Sequence, residues 1–269
     1  MYEEAAAPAA LRGVARCVWR SASEGPKRIV PDGCVDLVAG DGGVFVAGPD
    51  TAAWSSVTTP GAVLSGVRFR PGRAAAVLGV AADELRDQRV PLAELWGRSV
   101  AERLAEGELS PVEAVAGRLA DLPPPDSAVA ELIARLEAGV ARVGEAAAAM
   151  GARPEAVWVG EATSLRLEAG AARVAEAESA AVSERRLRRR FVQAVGYGPA
   201  TYLRISRFQR AVALAPRVAG LAALAAAAGY ADQAHLSRDC RALTGLTPRR
   251  YFRGSSTVDV AERDRLRSA

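Results

Sequence analysis

The chain has 269 residues, 50% hydrophobic but only 5% aromatic, with a net charge of +4, which is length enough for two domains and apolar content enough for real cores. Three dispersed cysteines (Cys17, Cys34, Cys240) and a single histidine exclude a zinc finger or disulfide scaffold, so no metal or cofactor is expected and a reducing cytoplasm fits best. Met1–Ala10 is acidic rather than a basic-then-apolar leader, and no apolar run nears the ~20 residues of a membrane span, so no membrane partner is expected.

Residues 27–70 read as β structure. Val35–Ala39 and Val44–Gly48 flank Gly40-Asp41-Gly42-Gly43, a hairpin signal. Ala62–Gly72 alternates, with Val63, Val67 and Phe69 on one face and Arg68 and Arg70 on the other. Pro31, Pro49, Pro60 and Pro71 punctuate these segments, and the pattern predicts a small antiparallel barrel or sandwich. From Arg73 the pattern turns helical: residues 73–79, 81–87 and 90–97, then amphipathic helices over Ser99–Leu109 and Pro111–Leu122. Pro123-Pro124-Pro125 cannot continue a helix and forms a stiff linker over 123–126. A domain boundary is therefore expected there, with a first domain over 1–122.

Ser127–Ala138 is expected to be a helix with Val129, Leu132, Ile133 and Leu136 on one face. Beyond it, Leu136–Ala146 matches Leu167–Ala177 at nine of eleven positions, and Met150–Val157 aligns with Ala180–Leu187 after a one-residue gap. Residues 127–170 thus read as a helix plus a degenerate helix-turn-helix-like repeat, with chance similarity between Ala/Glu/Arg-rich helices as the alternative. Glu155, Ala156 and Val157 stand where the later copy has its arginine run, so the earlier copy lacks a grip on phosphate.

Residues 171–253 hold 15 arginines, no lysine and five acidic residues, a local charge of +10, whereas the remainder holds 20 basic and 26 acidic residues, or −6. A basic third on an acidic remainder points to a polyanion. Within it one pattern is written twice, in Glu178–Phe191 and Ala225–Cys240: small-residue helix, tight turn, polar N-cap (Ser183, Asp232), Leu four residues later (Leu187, Leu236) and Arg two beyond (Arg189, Arg238). That is the layout of a helix-turn-helix, whose second helix enters the DNA major groove. Leu187, Phe191 and Val195 form the buried stripe of the first reading helix, and Glu184, Arg185, Arg188 and Arg189 its outer face. The same offsets in the second give Gln233, Ala234, Ser237 and Arg238, with Leu236 and Cys240 inside. Arg can bond guanine O6 and N7, Gln adenine N6 and N7, and Ala can meet a thymine methyl.

Between them, Pro199 starts and Pro216 ends a helix of about 16 residues, roughly 24 Å long, with Tyr202, Leu203, Ile205, Phe208, Val212 and Leu214 as core contacts. That length suits two reading helices about 34 Å apart, one DNA turn. Arg204, Arg207 and Arg210 are candidates for phosphate contacts or salt bridges. Thr247-Pro248 starts a last short helix, and the tail from Gly254 reads as frayed.

Taken together, SERRLRRRF, VGYGPATYLRISRFQRA and GYADQAHLSRDCRALTGLTP resemble the AraC/XylS family of bacterial transcription regulators over about Ala171–Arg253. The resemblance implies an all-α, double helix-turn-helix DNA-binding domain. It implies base contacts from Arg185, Arg188 and Arg189 in one helix and Gln233, Ala234, Ser237 and Arg238 in the other, with His235 at the margin. Ala181 stands where the family commonly has Gly, and Cys240 where it commonly has Phe. IVPDGCVDLV, VAGPD, GVRFRPG, LGVAADELRD and VPLAELWG resemble the sensor region of an actinobacterial-type branch, which implies a cupin-like or related β domain. The overall fold class is then α+β. The expected partners are double-stranded DNA, a small-molecule effector and, for an activator, RNA polymerase, with the protein a monomer or homodimer and not an enzyme. The alternative is an alkyl-transfer or redox-sensing protein using Cys34, activated by Arg28 or Arg68 and fused to a DNA-binding module. A further alternative is a small-molecule binder with a decayed DNA module. His235 has no ligand partners in sequence and reads as a helix side chain near DNA or packed within the module.

Overall fold

The computed structural model describes residues 1–22, 25–56, 58–139 and 183–254. Its N-terminal part is an antiparallel sheet and its C-terminal part is helical. Among the described residues eight strands form: β1 (Tyr2–Ala6), β2 (Ala15–Ala22), β3 (Lys27–Ile29), β4 (Asp36–Gly40), β5 (Gly43–Ala47), β6 (Trp54–Ser56), β7 (Val63–Phe69) and β8 (Arg89–Pro91). Six of them make one sheet in the order β1-β2-β7-β4-β5-β8, and β3 with β6 makes a separate two-stranded ribbon. The expected hairpin is present: Gly40 pairs with Gly43 across a two-residue turn, and Gly43 takes φ +103°. Residues 1–22, which carry two strands, precede the region that read as β.

Register assigns the two faces of the sheet. Val18, Val67, Leu37 and Val46 lie in one row across β2, β7, β4 and β5. They enter an apolar core with Leu11, Phe69, Val77, Leu78, Leu85, Leu92, Trp96 and Val115. The neighbouring row, Cys17, Arg68 and Asp36, points to the opposite face, as the period of two requires. Gly66 belongs to that second face because Trp19 folds across it: a Cβ there would stand 2.6 Å from the indole.

Helices α1 (Ala74–Leu78), α2 (Leu92–Trp96), α3 (Arg98–Ala105) and α4 (Pro111–Ala116) come next. Residues 82–87 form a run of turns instead of the expected helix. Leu85 is buried there while its amide reaches only back to Ala82, an i−3 bond that stops short of an α-helical ladder. The Ser110 side chain and Glu113 close a reciprocal capping box on α4, which ends at Gly117 rather than running to Leu122.

The proline segment separates two cores. The helix α5 (Ser127–Ala138) just after it buries Val129, Leu132, Ile133 and Leu136 with the C-terminal helices and not with the sheet. Those helices are α6 (residues 183–195), α7 (Pro199–Leu214), α8 (Leu221–Ala228), α9 (Gln233–Thr244) and α10 (Pro248–Gly254). The pseudo-repeat beyond residue 139 and the first helix of the first repeated pattern lie outside the described residues.

Candidate nucleic-acid interface

Both repeated stripes are buried in one core. On α6, Leu187, Phe191 and Val195 are buried, and Phe191 meets Tyr202 of α7 edge-on at 5.8 Å between ring centroids. On α9, Leu236, Cys240 and Leu243 are each 0% exposed, so Cys240 does fill the place taken by Phe191 on α6. Asp232 caps α9 by accepting from the His235 amide at 2.6 Å. Ser183, by contrast, is already helical, so it does not cap α6; the residues before it are outside those described.

Burying these stripes turns the other faces outward. Glu184, Arg185, Arg186, Arg188, Arg189 and Arg190 are exposed on α6, as are Gln233, Ala234, Arg238 and Arg241 on α9. Gln233, Ala234, Ser237, Arg238 and Arg241 together line a shallow depression on the surface. Sequence reasoning passed over Arg241, although it lies one turn beyond Ser237 on the same face. The Ser237 hydroxyl donates to the Gln233 carbonyl at 2.8 Å, which leaves its lone pairs as acceptors for an incoming group. Arg190 is held instead by Asp126, which accepts from its Nε at 2.6 Å and also pairs with its terminal nitrogen. Asp126 at the same time caps α5 through the Val129 amide at 3.2 Å.

The three arginines of α7 differ from one another. Arg210 donates to the carbonyls of Glu137 and Ala228, at the C-terminal ends of α5 and α8, where a cation suits the helix dipoles. Its geometry is that of an internal clamp. Arg207 lies 3.4 Å from His235 Nε2, with its guanidinium 5.3 Å from the Tyr230 ring centroid. Arg204 is half-buried beside the same group. His235 packs edge-on to Tyr230 and faces Asp239 Oδ2 at 3.8 Å. Burial pushes the Asp239 carboxyl up, against the opposing pull of His235, Arg204, Arg207 and Arg238. This polar cluster forms the underside of α9, and His235 is part of it.

Cys34 is 4% exposed. Burial pushes its thiol well above the ordinary range, and the Asp32 carboxylate adds to this. Arg16 Nη1 lies 3.8 Å from its sulfur, and the pull of Arg68 and Arg16 does not offset burial. Arg28 donates to the Thr244 carbonyl, and Arg68 is engaged by Glu4, Asp32 and Asp36. The expected activation of Cys34 by Arg28 or Arg68 is therefore corrected: a buried, neutral thiol is a poor nucleophile. Cys17 and Cys240 are buried too, their thiols likewise raised by burial. Among the described residues no His/Cys/Asp/Glu group is placed to hold a metal ion, and no helix is long and apolar enough to cross a membrane.

Residues 177–254 match the family described as a helix-turn-helix domain. Residues 3–91 match a domain of unknown function, DUF6597. No curated protein matches the chain. Among solved structures it is similar to the crystal structure of ToxT from Vibrio cholerae O395, at 9% identity, with 90% of this chain and 97% of that chain covered and a TM-score of 0.38.

Proposed function

We propose that the chain is a sequence-specific, DNA-binding transcription regulator of the AraC/XylS type. In this reading, α6 and α9 are the reading helices of a double helix-turn-helix that enters successive major grooves. The observation that carries it is the repeated construction: two helices bury equivalent Leu-containing stripes in one core and turn arginine-bearing faces outward. The 16-residue α7 between them spans about 24 Å, in keeping with sites one DNA turn apart. The match of residues 177–254 to a helix-turn-helix family supports the same reading.

Arg185, Arg188 and Arg189 then face one groove, and Gln233, Ala234, Ser237 and Arg238 the next, with Arg241 added at the rim. His235 acts from beneath α9. Arg207 braces α9 with Arg204 adding positive charge toward Asp239, and Arg210 clamps the helix ends. The region 1–122, with its antiparallel sheet and excess negative charge, is the regulatory domain, a cupin-like frame responding to a small-molecule effector. Residues 123–126 are its joint to the reader. The regulator works in the cytoplasm as a monomer or homodimer, and as an activator it would engage RNA polymerase.

Sequencing DNA fragments selected by the purified full-length protein tests this reading. A recurring motif with two half-sites about one helical turn apart is expected. Random recovery, with an affinity equal on all fragments and set by salt alone, would refute it.

A further inference from the structure

The two apolar cores are separate, yet the polypeptide ahead of the proline joint reaches both reading helices through their backbones. The Ala53 amide donates to the Leu243 carbonyl at 2.7 Å, and Arg28 Nη1 donates to the Thr244 carbonyl at 2.7 Å. Both carbonyls belong to the last turn of α9, whose final carbonyls have no intrahelical donors. The Ala82 amide donates to the Gln193 carbonyl near the end of α6, again at 2.7 Å. The sheet half thus supplies C-terminal capping for both helices that carry the exposed arginines.

One short segment joins these contacts to the polar face of the sheet. Arg28 lies on β3, in the two-stranded ribbon with β6. Three residues on, the Pro31 carbonyl accepts from Gln209 Nε2 of α7 at 2.6 Å. Gly33, at φ +85°, rests on the Tyr202 ring of α7, where a Cβ would stand 3.0 Å from Cε2. Asp32, between them, is turned the other way. Its Oδ2 lies 3.2 Å from Arg68 Nε, and its Oδ1 accepts from the Cys34 amide at 2.9 Å. Arg68 stands in the middle of the sheet, 3.1 Å from Glu4 and 3.1 Å from Asp36, and the Trp19 indole N–H donates to the same Asp36 at 2.7 Å.

We propose that residues 28–33 form a strap through which the Arg68 cluster of the sheet sets the placement of the DNA-reading helices, with Asp32 as the positioning residue. The consequence for DNA rests on the reading given above; the mechanical coupling does not. Asp32 is the one carboxylate of the cluster that lies on the strap. Glu4 and Asp36 lie on strands of the sheet and remain with Arg68 when Asp32 loses its charge. A ligand or a charge change that draws Arg68 away from Asp32 therefore releases the strap without dismantling the sheet. The strap touches α7 and the end of α9, so its release changes the relation between the two reading helices and not the side chains that face DNA. Selectivity is then lost before general affinity, because base contacts need registration in both grooves while phosphate attraction does not.

Asp32→Asn in the full chain tests this. Asn keeps an oxygen to accept from the Cys34 amide and turns toward Arg68 an NH2 group, which carries no charge and cannot accept. In the DNA-free protein, amide exchange in residues 241–246 should rise about fivefold or more, the low end of ordinary coupling between sites, while β2, β4 and β7 keep their protection. Unchanged exchange in 241–246 would overturn the strap, whether or not the protein reads DNA. On selected DNA, the ratio of specific to random affinity should fall by a similar factor. Gln209→Ala should give the same loss, and the double variant no more than either alone. Additive losses, or equal loss on specific and random DNA, would also overturn it. Failure of the wild-type protein to select any sequence counts against the DNA reading alone, because the exchange measurement still decides the strap.

Discussion

Replacing Asp126 separates two roles that one carboxylate plays at the proline joint. It caps α5 through the Val129 amide and pairs with Arg190 on α6. Asn at this position keeps the cap and loses the ion pair; Ala loses both. The pair joins side chains 49% and 31% exposed, so solvent screening limits it to at most about 1 kcal/mol. Losing the cap costs about 1 kcal/mol more. Asp126→Asn should therefore cost under ~1 kcal/mol and Asp126→Ala about 1–2 kcal/mol, measured by urea denaturation followed by helical circular dichroism. The pH dependence has a definite sign. Partial burial raises the Asp126 carboxyl but is outweighed by the hydrogen bonds from Arg190 and from the Val129 and Ala128 amides, leaving it below the ordinary range. The stability that its charge contributes is complete above the unfolded value near 3.9 and is lost as pH falls through the depressed folded value. The gap between wild type and Asp126→Asn should then close in acid, below about pH 4. Freeing Arg190 also adds a cation to the outer face of α6, so the salt slope of DNA binding should steepen by up to about 0.9. A gap that persists unchanged into acid, or an Ala variant no less stable than the Asn variant, would refute the two-role account.

Arg189→Ala and Arg238→Ala should each weaken specific DNA binding by about 1–3 kcal/mol in titrations against a selected fragment, and equal loss on random DNA would make them phosphate contacts. Arg210→Ala should cost about 1.5–3 kcal/mol of stability in urea, since it removes charged hydrogen bonds to the Glu137 and Ala228 carbonyls, and should leave the salt slope unchanged. Leu236→Ala, at a position 0% exposed, should cost about 2.7–5 kcal/mol and lower the melting temperature of the C-terminal unit by roughly 4–8 °C per kcal/mol. Cys34 should resist alkylation in the native protein at neutral pH and react once unfolded, as mass spectrometry would show; rapid native labelling would reopen the nucleophile reading.

Patterns with a short period were enough to find the apolar stripes of the C-terminal helices. Leu187, Phe191 and Val195 recur every four residues and are buried together, and Asp232 caps α9 as its spacing implies, because a helix makes its own hydrogen bonds within a few residues. The Gly40–Gly43 hairpin was legible for the same reason. Strands β1 and β2 were not. The core-facing positions of β2 include Ala15, a small residue that carries little β signal, and its partner lies as far along the chain as Phe69. Nor could local pattern tell what each arginine does. Arg189, Arg190 and Arg210 look alike along the chain, but Asp126 claims Arg190, two helix ends claim Arg210, and Arg189 is left exposed. Nothing near Arg28 and Asp32 along the chain marks their partners, and only folding brings Arg28 to Thr244, 216 residues away, and Asp32 to Arg68. Local pattern was enough to show which faces of α5, α6 and α9 are apolar, since that choice is made within a turn or two of chain. Which charges are engaged inside the protein and which remain for a partner emerges only on packing, because a charge's fate depends on neighbours far away in the chain.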